Sequence, residues 1–366
     1  MTDILAFTAL RPRELTDPLE ATGYTGTVIN IDNDRTLPGR IFQQIIQGVR
    51  NPDFKPDVVM VYNGTGVLGI ISLLFGWYYS AAVIVRVNGN VFRQHREKTD
   101  EFLTGGQYGA FLLYSLLGLA TRVTYALADG YLVVSEELRH AIQTNTNCSE
   151  SRIAVVHNPV PDVSPPEDGQ TPIGPAQHDR ILLTVTNLNY EGKFEGVKQI
   201  IDSVGRDLPD DVGYVIAGGG IYLEELRAYL DQAAPEASDQ IHILGYVNDI
   251  ELLYDAADVF VYVSYIDGFP NVVLEAQAAG LPVIANAAYG MVEQIEDGES
   301  GVLVEGSDGS TLADAVHRLL DDPELRERLG TAAREQVTEK NSPERIGTEL
   351  LEATVNVSTT NEIDTS

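Results

Sequence analysis

VFVYVSYIDGFPNVVLEAQAAGLPVIANAAYG, residues 259–290, reads in order as strand, turn, helix and strand. Its opening run, VFVYVS, is apolar and β-branched up to Ser264, the pattern of a strand covered on both faces. Asp267, Gly268, Phe269, Pro270 and Asn271 are turn formers, with Pro suited to a first helical turn and Asn to its cap. VVLEAQAA then has helical composition until Gly280 stops it, and PVIAN, 282–286, returns to strand. Two buried strands joined through a helix pair in parallel, so this segment predicts an α/β fold.

The same alternation runs outward in both directions. VVMVY (58–62), AVIVRV (82–87), YLVVS (131–135), IAVVH (153–157), ILLTVT (181–186), GYVIAG (213–218) and IHILG (241–245) are further short buried-strand patterns between helical ones. They are interrupted once, at PVPDVSPPEDGQTPIGPAQHD (159–179), whose six Pro fit neither a helix interior nor a sheet centre. The expected organisation is therefore a first domain over 1–160, a linker over 161–179 and a second domain over 180–340. A helix follows over 341–352, and the polar, aperiodic residues 353–366 read as a tail.

The chain has 366 residues, enough for about two domains. Against 54 Asp and Glu stand 24 Lys and Arg, a formal charge of −30 that argues against a nucleic-acid binder or an electrostatically held membrane protein, since both meet phosphates with bases. Only five of the bases are Lys (Lys55, Lys98, Lys193, Lys198, Lys340). Such a balance suits molar salt, where the Debye length falls to about 3 Å and repulsion between acids is screened. The single Cys148 forms no internal disulfide and fits a reducing, cytoplasmic setting, and no basic region of a signal peptide follows Met1. Two stretches, 69–87 and 111–135, are apolar enough to suggest a membrane. Gly76 interrupts the first, and Arg122 and Asp129 the second, so both are read as buried or half-buried helices leading into strands, with peripheral contact to a lipid-bearing acceptor left open.

The helix entry at Pro270–Asn271 aims unpaired N–H groups at one spot, which favours an anion such as phosphate. Glu275 follows one turn in, an odd core residue unless something polar meets it. With these features the block resembles the signature of retaining glycosyltransferase family 4: an acid, Gly-Phe-Gly/Pro, four residues, Glu-Ala, then Gly-x-Pro-Val-Ile. VVHNPV (155–160), ILLTVTNLNYEGKFEGVKQII, YVIAGGG, ILGYVNDIELLYDAADVFVYVS and NSPERIGTELLEA extend the likeness in the family's order.

That resemblance implies the GT-B fold, two Rossmann-like domains facing each other across a cleft, with the donor held mainly by the second. The implied reaction moves a hexose from a UDP- or GDP-sugar to a hydroxyl of a glycan, a glycolipid or another lipid-linked acceptor. The anomeric configuration is retained, and the implied setting is the cytoplasm at the inner membrane face. In the family the second acid holds the ribose hydroxyls, a role that maps to Glu275, and the first lies near the donor sugar, which maps to Asp267 where Glu is commoner. Lys193 matches the diphosphate-binding Lys. Asn187 stands where the family has Arg, so either Lys193 with the helix dipole suffices or another cation substitutes, Lys198 nearby and Arg11 and Arg86 more remote. The backbone of Gly268, Phe269, Pro270, Asn271, Val272 and Val273 would line the donor, as would Gly218, Gly219 and Gly220. Gly245, Tyr246 and Val247 match the loop that meets the nucleobase.

The first domain departs further from the pattern. FTALRPRELTDP has no glycine pair in its first strand-to-helix loop. Asn88 occupies the place of the family's His, with His95 seven residues later as the acceptor-side alternative. No Asp-x-Asp pair accompanies the motif, and the GT-B resemblance implies a site without a metal or another cofactor. Two rivals remain at this level: an epimerase or hydrolase of nucleotide sugars on the same frame, and a donor-binding protein without turnover, suggested by Asn187 and the missing glycines.

Overall fold

The computed structural model describes residues 3–8, 13–24, 27–30, 55–166, 178–205, 207–235, 239–305 and 309–359. It divides into two units, Met1–Pro159 with Ser342–Ser366, and Val160–Asn341.

The first unit is a six-stranded parallel sheet. Its strands are β1 (Ile4–Thr8), β2 (Thr27–Asn30), β3 (Val58–Tyr62), β4 (Ala82–Val87), β5 (Gly130–Val133) and β6 (Ile153–Val155), in the order β2-β1-β3-β4-β5-β6. The second unit holds β7 (Arg180–Val185), β8 (Val212–Ala217), β9 (Ile241–Gly245), β10 (Val259–Tyr262), β11 (Val283–Asn286) and β12 (Val302–Val304), in the order β12-β11-β10-β7-β8-β9. All the registered pairs are parallel. β8, β10 and β11 are buried along their whole length, which is why their sequences are continuous apolar runs and do not alternate. β2 and β12 were not evident in sequence, being short strands at sheet edges.

In the second unit the chain leaves β7 toward β8 and β9 on one side, and later leaves β10 toward β11 and β12 on the other. β7 and β10 are neighbours, so the connections diverge above their carboxyl ends and open a crevice there, the usual ligand position in open α/β sheets.

Three expectations change. The helix expected over 341–352 runs from Pro343 to Thr359, so the tail expected from residue 353 is helical as far as it is described, and 360–366 lie outside the described residues. Ile346, Leu350 and Val357 belong to the first unit's core with Ile4, Leu15, Val58 and Ile84, and Val357 packs on Gly130. Thr354, also buried, continues that stripe behind a polar composition. Gly76 does not break 69–87: it lies inside the helix Gly66–Tyr79 against Val83, and the turn comes at left-handed Ser80. The helix Tyr108–Leu127 that opens the second apolar stretch is fully buried only at Thr121, Thr124 and Tyr125, and half of its residues are exposed. Of the linker, 161–166 is without regular structure and 167–177 lies outside the described residues, as do residues 9–12 of the first loop, Arg11 among them.

Candidate active site

Lys193 and Asp267 meet above the β7–β10 crevice, Nζ 2.9 Å from Oδ1, with their side chains 15% and 17% exposed. Two glycines bring them together. A Cβ on Gly196 would fall 1.8 Å from the Val263 carbonyl oxygen, and Gly192 lies against Tyr265, whose N–H donates to the Gly192 carbonyl at 3.2 Å. The helix Glu191–Val204, which carries Lys193, therefore seats directly on the segment leaving β10. That segment is fixed from the other side by Asn286, which accepts from the Ser264 N–H and donates Nδ2 to its carbonyl, each at 3.0 Å.

Asp267 is held at both oxygens. Oδ1 faces Lys193, while Oδ2 accepts from the hydroxyls of Tyr262 at 2.5 Å and Ser264 at 2.7 Å. Burial alone would raise its pKa; the Lys193 ammonium and the two hydroxyl donors outweigh that and hold the carboxyl below its ordinary value. Glu275, half-buried, accepts from the Tyr254 hydroxyl at 2.7 Å. Burial, and then the neighbouring acid, push both phenols well above the usual tyrosine range, so each remains a donor. Tyr254, Phe260 and Tyr262 pack in a row, with ring centroids 5.8 and 6.2 Å apart, so one aromatic ladder supports both acids.

Between the acids, Pro270 takes the cap position and Asn271 is the first residue of the helix Asn271–Ala279, one position later than expected from its capping preference. The helix ends as expected at left-handed Gly280. Val273 turns its N–H back to the Pro270 carbonyl at 3.2 Å, so the amide-rich corner consists of the entry up to Val272. Phe269 is buried, and Gln294 donates to the Pro270 carbonyl at 3.0 Å. Gly290 lies against the Gly268 carbonyl oxygen, where a Cβ would come within 1.9 Å.

The remaining donor-side residues divide. Gly218 and Gly220 have φ of 139° and 155° and press against the Thr186 and Leu188 carbonyls, so their lack of side chains serves packing of the β7 loop. Gly219 accepts from the Leu188 N–H at 2.9 Å. Left-handed Gly245 accepts from the Gly218 N–H at 2.7 Å, Tyr246 beyond it is 79% exposed, and Val247 packs partly into the core. Asn187 stands at the end of β7, its Oδ1 accepting from the backbone and side-chain nitrogens of Asn189 at 3.0 and 2.7 Å. It shapes the loop and supplies no charge. Lys198 does not join Lys193: its ammonium pairs with Glu195 at 2.9 Å and lies over the rings of Phe194 and Tyr229.

In the first unit, Asn88 donates Nδ2 to Glu14 at 2.6 Å and its backbone N–H to Oδ1 of Asn63 at 2.9 Å. His95 lies in a 400 Å³ cavity between the helices Val91–Thr104 and Tyr108–Leu127, and burial lowers its pKa below the ordinary imidazole value. Arg86 is fully buried and donates to the carbonyls of Val156 at 2.6 Å and His157 at 3.0 Å, which makes it a clamp on the chain leaving β6. Sequence reasoning missed Tyr254, Tyr262, Ser264, Asn286 and Gln294. A Tyr in an otherwise apolar buried strand does signal a hydroxyl that needs a partner.

Residues 170–336 match the family model described as glycosyl transferases group 1. The capsular polysaccharide biosynthesis glycosyltransferase CapM of Staphylococcus aureus is 26% identical over 245 residues, 65% of this chain and 64% of that protein. A D-inositol 3-phosphate glycosyltransferase of Corynebacterium diphtheriae is 31% identical over 184 residues, 46% of this chain and 40% of that protein. The matched stretch thus spans less than two thirds of either relative. The structure of Anabaena Alr3699/HepE in complex with UDP and glucose superposes with a TM-score of 0.71 at 16% identity, covering 97% of this chain and 100% of that one. The likeness shows the fold, a pair of doubly wound α/β units of the GT-B class.

Proposed function

We infer that this chain, whose residues 170–336 form a glycosyl transferases group 1 domain, is a retaining glycosyltransferase that moves a hexose from a nucleotide diphosphate sugar to a hydroxyl acceptor. The observation that carries the reading is the Lys193–Asp267 pair, set at the divergence of β7 and β10 beside the helix entry at Asn271, with Glu275 one turn further along. Named relatives that are glycosyltransferases, and a fold neighbour seen with UDP and glucose, support it.

In this reading the diphosphate lies against the entry amides and the Lys193 ammonium. An ammonium has three donors, and Asp267 takes one of them in the ligand-free site. As the anomeric carbon–oxygen bond breaks, its electron pair leaves with the diphosphate, and donors aimed at that oxygen lower the barrier. The acceptor oxygen forms the new bond to the anomeric carbon on the face that is vacated, and its proton passes to the departing diphosphate oxygen. Asp267 acts chiefly through Lys193, which it positions, and does so from a carboxylate already engaged by Tyr262 and Ser264. Glu275, oriented by Tyr254, receives the ribose hydroxyls. The site works without a metal or cofactor, because the ammonium and the amides supply the positive potential. Asn88 and His95 belong to the acceptor side. The acid surplus fits work at molar salt in the cytoplasm, on a glycan or lipid-linked acceptor.

Incubation of the pure protein with UDP- and GDP-sugars tests this. Slow nucleotide release with one donor supports transfer, inversion of the sugar without release means an epimerase, and binding without either means a non-catalytic receptor.

A further inference from the structure

The helix Tyr108–Leu127 is built inside out for a water-facing element. Its inward side presents Gly118 against His95, Thr121 accepting the Gly66 N–H at 2.8 Å, Thr124 beside Gly69, and Tyr125 donating to the Asn63 carbonyl at 2.8 Å. Its outward side presents Leu112, Leu113, Leu116, Leu119, Val123 and Leu127, all exposed. At 100° per residue those six fall within an arc of about 120° along a helix about 30 Å long. The helix meets the length and hydropathy of a membrane span, yet only 17% of its apolar window is buried in the protein, so it is no core helix. The adjoining helix Gly66–Tyr79 adds Leu74, Trp77 and Tyr78, with Trp77 82% exposed. Together the two helices carry ten of the fifteen exposed large apolar side chains among the described residues.

Charge singles out the same region. Residues 58–128 contain three acids, Glu97, Asp100 and Glu101, where the chain's average would place about ten. They contain five bases, of which Arg86 is buried and Arg93 and Lys98 pair with Glu97 and Glu101, each at 2.8 Å, which leaves Arg96 and Arg122 exposed near the apolar arc. A chain of net charge −30 thus loses its acid excess around this apolar face, where Arg96 and Arg122 are exposed.

We propose that this face of the first unit lies in the headgroup and acyl boundary of a bilayer containing anionic lipid, with the helix Tyr108–Leu127 parallel to the surface. Leucines without interspersed hydrogen-bonding groups fit lipid better than a protein partner, whose interface would carry about one hydrogen bond per 100–200 Å². Trp77, Tyr78 and Tyr108 are the residue types that settle at headgroup depth, and the exposed Arg96 and Arg122 meet lipid phosphates. The helix lies on the membrane and does not cross it, because Thr121, Thr124 and Tyr125 tie it to the sheet's connecting segments along its other side. The inference stands on this surface alone and needs neither donor nor turnover.

Trp77 is the chain's single tryptophan, which makes it a built-in reporter. The full-length protein is mixed at molar KCl with vesicles of phosphatidylcholine alone or with phosphatidylglycerol. Expected are co-flotation, a blue shift of Trp77 emission and quenching by brominated acyl chains at molar KCl, and a preference for the phosphatidylglycerol vesicles that grows as the salt is lowered. Leu112→Gln/Leu116→Gln/Leu119→Gln, at exposed positions, keeps the circular dichroism melt and weakens partition at least about tenfold. Wild-type protein that stays with the aqueous fraction, its emission unchanged by either vesicle, overturns the proposal. So does a dimer by light scattering that these substitutions dissociate and vesicles do not, which would give the face to a second copy of the chain.

Discussion

The hydroxyl of Tyr262, on the last residue of β10, donates to Oδ2 of Asp267 at 2.5 Å, while Lys193 approaches Oδ1 of the same carboxylate. Asp267 thereby becomes the joint between the sheet and the only lysine at the crevice among the described residues. Its charge is set by the protein before any ligand arrives.

Tyr262→Phe removes a donor to a buried carboxylate and is expected to cost about 1–3 kcal/mol in chemical denaturation. The pH dependence follows from the sign of the shift. Because the folded Asp267 pKa is depressed, its stabilisation is complete above the unfolded value of about 3.9 and is lost as pH falls through the lower folded value. In Tyr262→Phe the folded value rises toward the unfolded one, so the acid loss of stability from Asp267 is smaller and is complete at higher pH. Acid titrations of the two proteins that coincide would remove Tyr262 from this role.

Gly196→Ala places a methyl group in the Val263 carbonyl, which the helix can relieve only by lifting Lys193 away from Asp267. Overpacking of this kind costs about 1–3 kcal/mol, and donor affinity falls with stability. Gly109→Ala, in the first turn of an exposed helix with open space around it, is the matched control and is expected to be neutral or stabilising by up to about 1 kcal/mol. Thermal melts and donor titrations of both variants decide it.

Turnover is expected to survive extended treatment with EDTA, since the positive potential comes from Lys193 and the entry amides. A rate that collapses on chelation and recovers with Mg²⁺ or Mn²⁺ would replace that account with a metal-assisted one.

Much of the frame was legible because β8, β10 and β11 are covered on both faces, and full burial writes a continuous apolar run into the sequence. Glu275 stood out as a candidate because a carboxylate is odd in that helix, whereas Lys193 and Asp267 became candidates through the likeness of their blocks to the family's motif. The supports were not legible: Tyr254 and Tyr262 look apolar in a strand-and-helix reading, and their hydroxyls acquire meaning only when chain neighbours bring an acid to them. Gly192 and Gly196 read as ordinary small residues until the helix is seen against Val263 and Tyr265. The helix Tyr108–Leu127 misled for a related reason, because periodicity reveals that a helix has an apolar side without saying whether that side faces inward.

Lys193→Ala is expected to lower kcat by about 10²–10³-fold, as removal of a donor to developing negative charge does elsewhere. Glu275→Ala is expected to act on donor binding, with a raised KM. Both are expected to unfold cooperatively, since Asp267 keeps its two hydroxyl donors and Glu275 is only half-buried. Steady-state kinetics with the preferred donor separate the two effects.

The most direct test is titration calorimetry of UDP and GDP at molar KCl into the wild-type chain, Lys193→Ala and Glu275→Ala. The account predicts that at least one nucleotide binds the wild type and that each substitution weakens it by at least about tenfold. Equal affinity in all three proteins, or no binding of either nucleotide to the wild type, would contradict it.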